Sequence, residues 1–229
     1  MTPQEAVLDI WNSRARAKER QLATGKSDAG LRSEVTSGGH MDEMAKLIGN
    51  VFIEAGIGEE NVFYKRSKLE LPGYFRAEKK WDVVVVKDGK LIAAVELKAI
   101  ASSYGNNLNN RTEEAIGNAV DIAHAVRTGL VGPNAPWLGY VFVIREEHKS
   151  MQPVSVKQPH FKVDPVIKDK SYVQRAQILC SRLMLERIYD RAWFITADPA
   201  RKSVSEPDPQ MTWAKFQAAI KGAVDQALA

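Results

Sequence analysis

The sequence predicts an α/β fold, a mixed β-sheet flanked by helices, on three observations. Apolar runs of strand length alternate along the chain with segments whose apolar residues recur at helical spacing. Two of the runs are joined by Asp88-Gly89, a tight-turn dipeptide that predicts an antiparallel hairpin. The run at residues 138–144 is apolar throughout, which is typical of a strand buried on both faces of a sheet. A sheet that contains both kinds of strand is mixed.

The N-terminal part of the chain is predicted to be mainly helical. Residues 5–23 are rich in Arg, Lys and Ala, and a polar break that contains Gly follows at residues 24–30. A second helix is predicted at about residues 41–55, where apolar residues stand at helical spacing before Gly56. Residues 62–64 are predicted to form a short strand.

The middle of the chain is predicted to form the hairpin and a helix after it. Residues 81–86 and 90–98 are the two strands on either side of Asp88-Gly89. Residues 101–112 are polar and rich in Asn, which favours turns, so this segment is predicted to be a loop. An amphipathic helix is expected from about Thr112 to Val126.

The C-terminal part contains a charged stretch with several Pro residues at residues 145–170. It is longer than an ordinary connection, so we expect it to be functional or mobile. The elements predicted after it are a helix at residues 171–188, a strand at residues 193–197 and a final helix at residues 213–228.

Composition sets the class of protein. The 229 residues suit a single domain, with about residues 1–35 as an N-terminal helical extension. Lys and Arg outnumber Asp and Glu by 32 to 28, a mild excess that fits a protein with one face against phosphate. The only cysteine, Cys180, indicates a reducing compartment. With no secretory segment and no apolar run of the ~20 residues that span a bilayer, we expect a cytoplasmic protein.

Three polar residues border or interrupt the two strands of the hairpin: Asp82, Glu96 and Lys98. A buried strand usually excludes such residues, because a desolvated charge is costly unless it is paired or bound to a metal. Glu96 and Lys98 are two residues apart and therefore share a face of the sheet. A carboxylate on each strand offers the oxygen ligands that Mg²⁺ prefers, and a nearby Lys can orient a water molecule or neutralise phosphate charge. This set predicts Mg²⁺-dependent hydrolysis of a phosphodiester, with Asp82 and Glu96 as metal ligands.

The register of the hairpin decides whether the two carboxylates meet. In a regular two-residue hairpin Val86 pairs with Leu91, so Asp82 lies opposite Val95 and does not share a face with Glu96. The prediction therefore requires either a β-bulge or an Asp82 that lies just off the ladder.

Asp82 and Glu96-Leu97-Lys98 resemble the signature of the PD-(D/E)xK nuclease superfamily. Trp81 stands where that signature usually has Pro, a departure that is frequent in the superfamily. The resemblance implies a restriction-endonuclease-like core.

The sequence is further similar to the XhoI-like family of type II restriction endonucleases. The matching stretches are residues 32–41, 79–82, 105–117, 136–140 and 182–190. This resemblance implies a homodimer that cuts double-stranded palindromic DNA, since each subunit of a symmetric dimer reads one half-site. The site that gives the family its name is CTCGAG.

Residues near the predicted site are candidates for supporting roles. Glu113 or Glu114 is expected to complete the metal shell or to position Lys98; otherwise both belong to a solvated helix face. The segment after the catalytic strand is expected to contact DNA, because Asn suits adenine and Arg suits guanine. The candidates for DNA contact are Asn106, Asn107, Asn109, Asn110 and Arg111.

Two other functions remain open from the sequence. One is a repair nuclease or junction resolvase of the same superfamily, which lacks sequence specificity. The other is a DNA-binding module without catalysis, although such a module has no need of two carboxylates near phosphate.

Overall fold

A computed structural model describes residues 1–23, 41–65 and 67–229 of the chain. The helices are α1 (Pro3–Ala23), α2 (Asp42–Glu54), α3 (Tyr104–Arg127), α4 (His148–Met151), α5 (Tyr172–Leu185) and α6 (Trp213–Leu228). The strands are β1 (Val62–Phe63), β2 (Glu70–Pro72), β3 (Glu78–Lys80), β4 (Val83–Lys87), β5 (Lys90–Ile100), β6 (Trp137–Arg145), β7 (Arg191–Asp198) and β8 (Ser203–Ser205). None of the helices in these described ranges is both long enough and apolar enough to cross a membrane.

Six of the strands form a mixed sheet in the order β1-β4-β5-β6-β7-β8. The inner pairs β5–β6 and β6–β7 are parallel, whereas β1–β4, β4–β5 and β7–β8 are antiparallel. Strands β2 and β3 pair with each other in a separate two-stranded hairpin. The mixed sheet confirms the predicted α/β architecture.

Helices cover both faces of the sheet, so the protein has two hydrophobic layers. Val83, Val95 and Val141 face a layer to which α1, α2 and α6 contribute. Val84 and Ala94 face the opposite layer, which contains apolar residues of α3 and α5. Because successive residues of a strand point to opposite faces, Asp82, Glu96 and Lys98 belong to the second layer.

The pairing of β4 with β5 contains an irregularity of the kind that the predicted site requires. Lys87 pairs with Lys90, and both residues of the turn between them have positive φ, as Asp-Gly turns do. Val86 pairs with Leu91, but Val85 pairs with Ala93, so one residue of β5 is left without a partner. This bulge shifts the register by one and continues the ladder toward Asp82 opposite Glu96.

The predicted loop at residues 101–112 is wrong, because α3 begins at Tyr104. Asn is a poor helix former, but Tyr104 and Leu108 lie one turn apart and are both buried against the sheet. Tertiary burial of these two side chains outweighs the local preference of the Asn residues.

The remaining predicted helices and strands are confirmed to within a few residues. The sequence did not predict the β2–β3 hairpin, whose strands are three residues each, or strand β8. Residues 145–170 contain only the single turn of helix α4. Residues 32–40 of the matching stretch 32–41, and the part of the expected N-terminal extension beyond residue 23, lie outside the described residues.

Candidate active site

Asp82 stands immediately before β4, with its backbone amide donating to the carbonyl of Val95 at 3.1 Å. Its carboxylate oxygen Oδ2 accepts a hydrogen bond of 2.7 Å from the backbone amide of Leu97. No described residue donates a hydrogen bond to its other oxygen, Oδ1. Asp82 is therefore fixed against the β5 strand at the residue between Glu96 and Lys98.

Burial, and after it the negative charge of Glu96, raise the pKa of Asp82 from its ordinary 3.8 to about 7. The positive charges of Lys98 and Lys79 and the Leu97 hydrogen bond act in the opposite direction. The two carboxylates are thus close enough to repel each other, as ligands of one cation must be.

Glu96 is 1% exposed and is surrounded by donors. Lys98 forms an ion pair with its oxygen Oε1, and the Lys79 ammonium lies 2.8 Å from Oε2. The Asn118 side chain of α3 donates to Oε1 at 3.5 Å. Burial raises the pKa of Glu96, but the two lysines outweigh burial and hold that pKa below its ordinary value. Glu96 is consequently ionised at neutral pH.

Lys98 lies between Glu96 and Glu114, whose Oε2 is 3.4 Å from the Lys98 ammonium. Burial lowers the pKa of Lys98, but the charges of Glu96 and Asp82 outweigh that effect and raise the pKa above its ordinary value. Lys98 is therefore a cation and a hydrogen-bond donor at neutral pH.

Of the two candidate glutamates, only Glu114 has a described contact with the site. Besides Lys98, it pairs with Arg111 on the preceding turn of α3. Glu113 is exposed on the outer side of the helix. The structure thus joins Arg111, Glu114 and Lys98 into one row of alternating charges.

The predicted DNA contacts lie on the first two turns of α3. Asn106, Asn109 and Asn110 are exposed and share one side of the helix, since they are three and four residues apart. Asn107 is half-buried and donates to the carbonyl of Ser102 at 2.7 Å. Arg111 is directed toward Glu114.

The sequence analysis missed the contribution of the β2–β3 hairpin. Its last strand carries Lys79 to Glu96, and its tip is held by Asp121, a buried residue of α3. Asp121 accepts hydrogen bonds of 2.8 Å from the backbone amides of Tyr74 and Phe75, and one of 2.7 Å from Arg76. The only sequence signal for this arrangement was the charged pair at residues 79–80, which stands directly before Trp81-Asp82.

The donors present fit a divalent cation that prefers oxygen. Asp82 and Glu96 offer carboxylate oxygens, and the mutual repulsion of the two groups is relieved when a cation lies between them. Within the described ranges no cluster of three or more Asp, Glu, His or Cys residues could hold a metal. Mg²⁺ suits such a sparse site, because it usually keeps several water ligands and binds through one or two carboxylates.

The chain is similar to known proteins of one family. The sequence model of a family described as "Restriction endonuclease XhoI" matches residues 20–207. The chain is similar to the type II restriction enzyme BstVI of Geobacillus stearothermophilus, at 44% identity over 77% of this chain and 81% of the relative. It is also similar to the type II restriction enzymes XhoI of Xanthomonas vasicola (40% identity; 79% of this chain, 73% of the relative) and AbrI of Azospirillum brasilense (38%; 69% and 72%). No solved structure matches the chain at a comparable level.

In the metal-free protein, Asp82→Asn should increase thermal stability, and the increase should grow with pH. The carboxyl has a pKa of about 7 in the fold against an ordinary value of 3.8, so its contribution to stability is lost as the pH rises from about 4 to 7. An amide is neutral throughout. A shift of about three pKa units corresponds to about 4 kcal/mol, so we expect a gain in melting temperature of roughly 8–16 °C at pH 8 and little gain at pH 4.

Thermal melts in EDTA across this pH range measure the effect, with Asp225→Asn, an exposed residue of α6, as the control. A stability difference that does not change with pH would show that Asp82 is not the group whose pKa is raised.

Proposed function

The chain belongs to the XhoI restriction endonuclease family, and from this premise we propose that it cuts double-stranded palindromic DNA as a Mg²⁺-dependent homodimer with a PD-(D/E)xK core. Type II restriction endonuclease activity is shared by the curated relatives that cover most of the chain. The observation that carries the site assignment is the β4–β5 bulge, which brings Asp82 opposite Glu96 on the face that also carries Lys98.

In this proposal Asp82 and Glu96 hold Mg²⁺, which when bound polarises the scissile phosphate and lowers the pKa of a coordinated water. The protein's own contribution is to fix the groups around it. Leu97 holds Asp82 through its backbone amide, and Lys98 and Lys79 keep Glu96 ionised. Lys98 is a donor and cation, so its role is to orient the attacking water and to stabilise charge on the phosphate as the 3′-oxygen leaves.

Glu114 is proposed as the positioning residue for Lys98. Its carboxylate reaches the Lys98 ammonium from helix α3, at 3.4 Å, and Arg111 pairs with Glu114 in turn. Glu113 has no such contact among the described residues, which favours Glu114 between the two candidates.

DNA recognition is proposed for the start of α3, where Asn106, Asn109 and Asn110 are exposed. These residues lie within three turns of Glu114, so a duplex bound to them also reaches the catalytic face. Asn107 and Arg111 are retained as predicted contacts, although each already has a partner within the chain. A CTCGAG-like palindrome is the first sequence to test.

Glu96→Gln should abolish cleavage and leave DNA binding largely intact. The substitution removes the buried charge that is proposed to bind Mg²⁺ but keeps the shape of the side chain. We expect a loss of about 10³-fold in single-turnover rate, equivalent to about 4 kcal/mol, with affinity for a cognate duplex in EDTA changed by less than roughly 3-fold. Glu59→Gln, an exposed substitution outside the site, is the matched control. Full activity of Glu96→Gln would refute the catalytic assignment.

Lys98→Ala and the double substitution Asn109→Ala/Asn110→Ala should separate catalysis from binding. The first should reduce the cleavage rate far more than affinity, because Lys98 acts on the water and phosphate. The second should weaken cognate binding roughly 10-fold or more, since each lost base contact costs about 1–3 kcal/mol. Fluorescence anisotropy and single-turnover cleavage measure the two effects.

The control for the Asn pair is Asn134→Ala, an exposed residue in the segment before β6. Equal losses of affinity in the Lys98 and Asn variants would mean that Lys98 only anchors phosphate.

The active form should be a symmetric dimer on palindromic DNA. Each chain carries one Asp82–Glu96–Lys98 set, and cutting both strands of a palindrome together requires two sets related by a two-fold axis. Affinity should fall steeply with salt as phosphate contacts release counterions. Analytical ultracentrifugation with and without a cognate duplex tests the stoichiometry. A monomer that only nicks one strand would instead favour the repair-nuclease alternative.

A further inference from the structure

Lys79 is a second lysine at the reaction centre, contributed by an element outside the main sheet. Its ammonium is 2.8 Å from Glu96 Oε2, on the oxygen that Lys98 does not contact. The same ammonium lies 5.2 Å from the centre of the Trp81 ring, within the range of a cation–π contact. The Lys79 side chain is 17% exposed, as is that of Lys98, so both cations reach the surface beside a buried carboxylate.

The position of Lys79 is set by the anchoring of the β2–β3 hairpin on α3. Asp121 accepts three hydrogen bonds from the hairpin tip. Burial raises the pKa of Asp121, but these hydrogen bonds outweigh burial and hold that pKa below its ordinary value. A side chain at Gly73 would approach Asp121 Oδ2 to 2.6 Å, so the tip fits only with Gly there. Asn118 accepts from Arg76 at 3.0 Å and also donates to Glu96. One side chain thus links the hairpin tip to the catalytic carboxylate.

The charges of the centre explain why a second lysine is needed. Asp82 and Glu96 are opposed by Lys98 and Lys79, and all four groups interact electrostatically. In the metal-free enzyme, loss of Lys79 would leave two carboxylates against one ammonium, and Glu96 Oε2 would lose its charged partner.

We propose that Lys79 is the second cation of the reaction centre, where it fixes Glu96 in the free enzyme and contacts the scissile or an adjacent phosphate in the DNA complex. The proposal rests on the proposed function of the same site. A phosphate that reaches Glu96 comes within hydrogen-bonding range of the Lys79 ammonium, because the two groups are already in contact. The hairpin is then a catalytic element of the fold, and Asp121 and Asn118 are the residues that hold it in place.

Lys79→Met tests the proposal, with Lys79→Arg to restore the charge and Lys221→Met as the charge-matched control. Lys221 is exposed on α6, which packs on the opposite face of the sheet. The first measurement is the affinity for a labelled 20-base-pair duplex in EDTA across a range of NaCl concentrations. The second is the single-turnover cleavage rate with Mg²⁺, and the third is the melting temperature in EDTA.

For Lys79→Met we expect the slope of log affinity against log salt to fall by about one unit, the loss of one phosphate contact. The cleavage rate should fall roughly 10–100-fold, as for other groups that stabilise charge on the phosphate. Lys79→Arg should recover most of both effects, and Lys221→Met should show neither. Should Lys79→Met fail to fold, Lys79→Gln takes its place, because its side chain can still donate to Glu96. The same three measurements are then made and interpreted in the same way.

An unchanged salt slope and rate in Lys79→Met would overturn the proposal, and a lowered melting temperature alone would show a purely structural lysine. The salt slope and the melts do not require cleavage. A wild-type protein that binds DNA but never cuts it would therefore refute the proposed function without deciding the role of Lys79.

Discussion

The burial of two carboxylates side by side, Asp82 and Glu96, is the constraint on which the rest of the site depends. Each charge is costly to remove from water, and their proximity adds repulsion, which is visible in the raised pKa of Asp82. Such a pair persists only if donors and cations surround it. Those partners are the Leu97 amide and Lys98, both in β5, and Lys79 of β3.

The fold supplies these partners through three features. The bulge in β5 sets the register that places Asp82 against Leu97 and opposite Glu96. The alternation of side chains along β5 is sufficient to place Lys98 on the same face as Glu96. Helix α3 then crosses the same face, where Glu114 contacts Lys98 and Asn118 contacts Glu96. Without the bulge Asp82 would lie opposite Val95 and would no longer share a face with Glu96 and Lys98, so one unpaired residue decides whether these groups meet.

The features that depend on local patterns could be predicted from the sequence. The Asp88-Gly89 turn, the strands on either side of it and the shared face of Glu96 and Lys98 follow from spacing alone. The chemistry required either a bulge or an Asp82 just off the ladder, and the sequence could not decide between them because nothing local marks which residue is left unpaired. The start of α3 was misplaced because the burial of Tyr104 and Leu108, which decides it, is a tertiary effect. Lys79 and Asp121 were missed for the same reason, since their partners lie 17 and 45 to 47 residues away along the chain.

Helix α3 brings together functions that restriction enzymes must coordinate. Its 24 residues extend about 36 Å. The exposed Asn residues occupy its first two turns, Glu114 contacts Lys98, Asn118 contacts Glu96, and Asp121 anchors the hairpin that carries Lys79. If the Asn residues read the DNA as proposed, recognition and catalysis are attached to one rigid element. A duplex that fits those residues poorly would then be displaced from Lys98 and Lys79 together, and the fidelity of cutting would follow from the position of one helix.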